Sequence, residues 1–180
     1  PGNYSATLYL EEDDRIEAVG DPVSFEVAPI YESVLEGVSY EEYDTYRKEF
    51  TTLYKKVNAM QDLLSQSEKN LKVYQKAVER LPSAPGALYL ALKDVQKELN
   101  AINLKVAGYS SRDEVGERNP PSIGTHLGTA ARGLSTTYGP TALHRKGLAL
   151  ADKILKAMAP RIEKLHKTTL PAIKKQLEAA

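Results

Sequence analysis

Three histidines, His126, His144 and His166, are the only imidazoles in the chain, and none has a metal-binding partner at i+3 or i+4. A helical metal site needs such a pair on one face, so capping or solvated roles are expected and no metal or other cofactor is. The chain has no cysteine, which removes disulfides, thiol nucleophiles and cysteine-ligated zinc. Gly124, Gly128 and Gly133 fall within a helix-like stretch with no strand before it, so they do not form a phosphate-binding loop. Glu41-Glu42 and Asp113-Glu114 pair carboxylates in sequence, yet the first pair marks a helix start and the second a polar loop. No catalytic residue is therefore expected.

Tyrosine is the unusual component, with 11 residues against 2 phenylalanines and no tryptophan. Tyr43, Tyr46 and Tyr74 fit the apolar seam of a long helix, with their hydroxyls reaching its edge. Tyr31, Tyr40, Tyr89, Tyr109 and Tyr138 fall at element ends or in loops, and of these Tyr31, Tyr89, Tyr109 and Tyr138 are the candidate interaction surface for a partner domain or a glycan. Lys153, Lys156, Lys164, Lys167, Lys174 and Lys175 form a basic stripe near the C-terminus with no aromatic residue interleaved. That pattern does not point to nucleic acid, and no apolar run approaches the roughly 20 residues of a membrane span.

The elements that must position these residues are mostly helical. Ser39-Tyr40-Glu41-Glu42 has capping-box spacing and opens a helix predicted over about 39–81. Tyr43, Phe50, Val57, Leu64, Leu71 and Val78 recur every seven residues, with Tyr46, Leu53, Met60, Tyr74 and Leu81 at the second seam position and Ser67 as the single break. At 1.5 Å per residue such a helix is roughly 60 Å long. Further stripes predict helices over about 87–107 (Leu88, Leu92, Val95, Leu99, Ile102, Val106), 122–134 (Ile123, Leu127, Ala130, Leu134) and 141–178 (Leu148, Ala151, Leu155, Met158, Ile162, Leu165). Pro160 should kink the last of these, and Thr168-Thr169-Leu170-Pro171 should break and restart it. Residues 109–121 read as a surface loop.

Before the helices, Tyr4, Ala6, Leu8 and Leu10 alternate with polar neighbours, which predicts a half-buried strand over 3–11. Glu12-Asp13-Asp14-Arg15 supplies a turn, and Val23, Phe25 and Val27 form a second run after a bulge at Gly20-Asp21-Pro22. The fold class is thus mainly α: an antiparallel four-helix bundle over 31–180 behind a β-hairpin at 1–30, the hairpin being the remnant of an immunoglobulin-like sandwich. Helix lengths suggest that the first helix runs up, the second returns halfway, the third climbs back and the fourth descends beside the first. Residues 1–49 carry 13 acids and 3 bases, whereas residues 141–180 carry 3 acids and 9 bases. An antiparallel first and last helix would set those opposite charges side by side.

The opening Pro1-Gly2-Asn3-Tyr4-Ser5-Ala6-Thr7-Leu8 resembles the strand that closes an immunoglobulin-like module in bacterial exported proteins. It is followed by a long helix, Asn119-Pro120-Pro121-Ser122-Ile123 with Leu127-Gly128, Gly139-Pro140-Thr141, and Leu170-Pro171-Ala172-Ile173-Lys174-Lys175-Gln176-Leu177-Glu178. In that order these segments resemble the C-terminal region of sortilin-like, BNR-repeat "glycosyl hydrolase" proteins of Bacteroidetes and relatives, over most of the chain. Ala28-Pro29-Ile30 stands where that family usually has Asp-Pro-Arg.

The resemblance implies a piece of a longer exported protein, periplasmic or extracellular, in which an N-terminal β-propeller would carry any substrate chemistry. It carries over no catalytic residue. The expected role is a non-catalytic accessory domain that docks on its own propeller or on another protein. A ligand- or carbohydrate-binding module, with a cleft near Tyr109 and Tyr138, is the alternative, and an enzyme in its own right is the third.

Overall fold

A computed structural model describes residues 1–30, 34–83 and 85–179. It is mainly helical, with one very long helix and an N-terminal β-hairpin. Helix α1 spans Tyr40–Val78; the Ser39 hydroxyl accepts the Glu42 N–H at 3.1 Å and fixes its start. Its buried face is Tyr46, Leu53, Val57, Met60, Leu64, Ser67, Leu71 and Val78, which is the seven-residue seam read from the sequence. Helix α2, Gly86–Val106, buries Leu88, Leu92, Val95, Leu99, Ile102 and Val106, and Gly108 follows it at φ +91° in the left-handed position that closes a helix end. A five-residue helix α3, Ser110–Glu114, interrupts the stretch expected to be loop. Helix α4 spans Ile123–Arg132, and Ser122 and Thr125 cap it reciprocally.

The last column is one continuous rod. Helix α5 covers Ala142–Lys164, a π-helical turn covers Leu165–Thr169, and α6 covers Leu170–Glu178. The break and restart expected at Thr168–Pro171 takes the form of the π-helical turn, after which the α-helical pattern resumes at Leu170. Pro171 has no N–H, and its ring would strike the carbonyl four residues back in an α-helix. The wider turn relieves that clash: the Leu170 N–H reaches back to the Leu165 carbonyl, and the Thr169 hydroxyl donates to the Lys164 carbonyl at 3.4 Å. Pro160 is likewise accommodated inside α5.

The expected helix directions need correction. Arg145 pairs with Glu42, Ser67 meets His166, and Glu98 pairs with Arg161, so α5–α6 runs parallel to α1 and antiparallel to α2. The phenols of Tyr43 and Tyr46 donate to the carbonyls of Leu134 and Ala130, which sets the end of α4 beside the start of α1. Helix α4 therefore continues downward where α2 stops, and three helices surround the core at each level. A directionless apolar stripe cannot distinguish these arrangements. The lysine-rich end of α6 consequently lies far from the acidic start of α1. Three of the stripe's lysines pair along their own rod instead: Lys156 with Asp152, Lys167 with Glu163 and Lys174 with Glu178.

Glycine sets the closest helix approach. A Cβ on Gly147 would stand 2.9 Å from the His126 carbonyl oxygen, so α4 and α5 meet where α5 has no side chain.

The hairpin is a bent two-stranded ribbon. Strand β1, Gly2–Ala6, pairs with β4, Val23–Val27, and β2, Tyr9–Glu12, pairs with β3, Arg15–Ala18, all antiparallel. Asp13 and Asp14 both take positive φ in the two-residue turn, a geometry that short polar side chains tolerate. Residues 7–8 face residues 19–22, so the predicted irregularity at Gly20-Asp21-Pro22 is present. The strands are not half-buried as expected: every residue of all four is exposed.

Burial separates the two parts energetically. Leu99→Ala, at a fully buried position, should cost about 2–5 kcal/mol in urea unfolding. Ile16→Ala, on the ribbon, should change it by less than about 0.5 kcal/mol.

Candidate functional site

A cleft of about 980 Å³ lies where the ribbon meets the bundle. Its walls are Tyr4 of β1, Tyr40, Glu41, Tyr43 and Asp44 at the start of α1, and the loop 134–139 that joins α4 to α5. Local sequence explains each wall. Ser39 places Tyr40 and Tyr43 in the first turn of α1. The Tyr43 phenol donates to the Leu134 carbonyl at 2.7 Å, and the buried Tyr46 phenol donates to the Ala130 carbonyl at 2.7 Å. The Ala130 carbonyl also accepts the Gly133 N–H at 2.9 Å, and Leu134 lies two residues past α4, so the two hydroxyls tie the last turn of α4 and the residues after it to α1.

The loop is folded on itself. Its Gly139 N–H donates to the Thr136 carbonyl at 3.3 Å, and the Thr136 hydroxyl donates to the Gly139 carbonyl at 2.6 Å. The Val38 N–H donates to the Tyr138 carbonyl at 3.0 Å and ties the segment before α1 to this loop. Gly139 sits at φ +88°, and a Cβ there would overlap Val38 Cγ2. Only glycine meets both demands.

The charged side chains in the cleft balance, Glu41 and Asp44 against Arg47 and Lys48. Asp44 bonds Lys48 at 2.7 Å and Arg47 at 2.6 Å, and these hydrogen bonds, Lys48 first, hold its carboxyl below the usual carboxylate range. Behind the wall, Arg145 spans Glu42 and the face of Tyr46, 5.5 Å from the ring centroid. Burial pushes the Tyr46 phenol above its ordinary value.

The four sequence-selected tyrosines do not converge. Tyr138 lines the cleft. Tyr89 is exposed on α2 near the opposite end of the bundle. Tyr109 follows α2, where Asn119 bonds both its N–H and its carbonyl and Arg112 lies 4.8 Å from its ring centroid, so it takes no part in the cleft. Tyr31 lies outside the described residues. Tyr4, Tyr40 and Tyr43 join Tyr138 instead. The signal that could have found them is the pair of glycines, Gly37 and Gly139, at the ends of segments that touch.

A second groove of about 550 Å³ runs between α2 and the π-helical turn, floored by Val95, Leu165 and Ile173. Glu98 and Arg161 form a two-pronged ion pair at its rim, at 2.6 and 2.8 Å. The histidines have local roles. His144 Nδ1 accepts the Thr141 N–H at the start of α5, and His166 Nδ1 contacts the Ser67 hydroxyl at 3.1 Å. Among the described residues no group of three or more His, Asp or Glu side chains could hold a metal ion, and no helix is long and apolar enough to cross a membrane. No family profile, curated protein or solved structure matches this chain.

Two outcomes follow from this geometry. Gly139→Ala should cost roughly 1–3 kcal/mol and unfasten Val38 from Tyr138, read as faster amide exchange at Val38. The Arg161 hydrogen bond holds the Glu98 carboxyl below its ordinary 4.5. Its contribution is therefore complete above about that pH and is lost as pH falls through the depressed folded value. Both partners are over a third exposed, so the effect should be under about 1 kcal/mol. Glu98→Gln should flatten that part of the acid-unfolding profile.

Proposed function

We propose that this chain is a non-catalytic accessory domain that docks through its β-ribbon onto a β-rich partner. The observation that carries this reading is the complete exposure of the ribbon. Two strands alone are marginal in water, and an uncovered apolar ribbon with unpaired edges is a template for further pairing. Val23, Phe25 and Val27 near its base, and Leu8, Leu10, Ile16 and Val19 toward its tip, are all exposed. The bundle buries its own seam without help from these residues.

The resemblance noted above supplies the partner: the β-propeller of an exported, periplasmic or extracellular protein, or another protein bound by it. On this reading the bundle is a rigid mount and any chemistry belongs to the partner.

The test uses the chain with such a propeller. Alone, ribbon amides should exchange close to unprotected rates while α1 and α2 amides are protected. Adding the propeller should protect residues 2–27, and Ile16→Asp with Val23→Asp should abolish that protection while leaving helix content unchanged. Association that survives both substitutions would overturn ribbon docking. Hydrolysis of glycoside or peptide substrates by this chain alone would overturn the non-catalytic reading.

A further inference from the structure

The cleft between the ribbon and the bundle has a composition that selects its ligand. Its volume of about 980 Å³ is at the upper end of the roughly 300–1,000 Å³ typical of small-molecule sites. Two acids face two bases, and Asp44 already bonds both cations. An ionic ligand would find no surplus of side-chain charge, and an anion would have to compete with Asp44 for Arg47 and Lys48. Long-range attraction of a charged polymer is also small where the local charge sums to zero.

Backbone recognition is closed on the floor of the cleft. The Val38 N–H, the Tyr138 carbonyl, and both backbone groups of Gly139 are spent inside the floor. An extended peptide binds a sheet edge through such groups, so this floor offers it no ladder. What stays open is a set of side chains. Tyr4, Tyr40 and Tyr138 are 50%, 59% and 48% exposed, and Ser135 and Thr137 are exposed beside them, the Ser135 hydroxyl donating to the Arg132 carbonyl at 3.1 Å and left as an acceptor. The fourth phenol of the wall, Tyr43, is committed to the Leu134 carbonyl.

Flat aromatic faces next to neutral hydroxyls suit a ligand with an apolar face and a rim of hydroxyl groups. We infer that this cleft binds a neutral carbohydrate, with sugar rings laid on Tyr40 and Tyr138 and their hydroxyls bonded by Ser135, Thr137 and the tyrosine phenols. The two tyrosines that take the sugar rings belong to the bundle side of the junction, and Tyr4 of β1 is the wall shared with the ribbon.

The experiment titrates the intact chain calorimetrically with cellohexaose, xylohexaose, maltohexaose and chitohexaose. Oligogalacturonate serves as the acidic probe and a proline decapeptide as the aromatic-groove probe. At least one neutral hexasaccharide should bind and shift the ring resonances of Tyr40 and Tyr138. Tyr40→Ala and Tyr138→Ala should each weaken that binding about tenfold or more, with helical content checked by circular dichroism. Tyr89→Ala, at the far end, should leave it unchanged, and added salt should have little effect because no ion pair forms. No binding by any of the four neutral sugars, a preference for the acidic or the proline probe, or binding indifferent to both cleft substitutions would each overturn the proposal.

Discussion

The seam of α1 is the constraint on which the other helices depend. A 39-residue helix with an apolar face along its whole length is stable in water only if that face is covered throughout. Helix α2 is 21 residues long and α4 is 10, so neither can cover it alone. Stacked end to end they form one column, and α5 with α6 forms the second. The π-helical turn serves the same end: by absorbing Pro171 it lets a single rod span the whole seam, with Leu170 and Ile173 buried beyond the turn.

Stacking two helices in one column creates exposed ends that must be satisfied. At the upper joint, Ser122 and Thr125 cap α4, while Asn119 holds both backbone groups of Tyr109. At the lower end, the phenols of Tyr43 and Tyr46 reach across from α1 to the Leu134 carbonyl, just past α4, and to the Ala130 carbonyl in its last turn. Hydrogen bonds from a neighbouring helix fix its axial position as well as its direction, because a shift of one turn would strand the buried Tyr46 hydroxyl. The cleft is a by-product of that locking. The Tyr43 ring and the loop after α4 become its walls.

Much of the fold was legible because its determinants are local. Seven-residue spacing, the Ser39 cap, Gly108 and the Asp13-Asp14 turn each act over a few residues, and each sits where its chemistry demands. Direction and covering are different properties. The stripe of Ile123, Leu127 and Ala130 is equally apolar read up or down, and only the contact with Tyr46, 84 positions away, chooses. Alternation along the ribbon shows which face is apolar and says nothing about whether anything lies on it. The cleft was illegible for the same reason: Tyr40 and Tyr138 meet through the Val38–Tyr138 hydrogen bond, which leaves no periodic trace. Tyr109 looked equivalent to Tyr138 in sequence, but Asn119 draws it into a different loop.

Ser67, the one polar residue in the seam, shows how such a break can be structural. It is fully buried, and its hydroxyl lies 2.7 Å from the Leu63 carbonyl and 3.1 Å from His166 Nδ1. A hydroxyl has one proton. If that proton goes to the Leu63 carbonyl, the Ser67 oxygen must accept from Nδ1–H, and both contacts are satisfied. The opposite choice would leave one contact without a hydrogen. The satisfied arrangement also removes Ser67 from nucleophilic chemistry, since a base would need Nδ1 unprotonated and the hydroxyl accessible. The π-helical turn that carries His166 thus places a polar plug opposite a polar gap. The seam stays continuous without a methyl group at its centre.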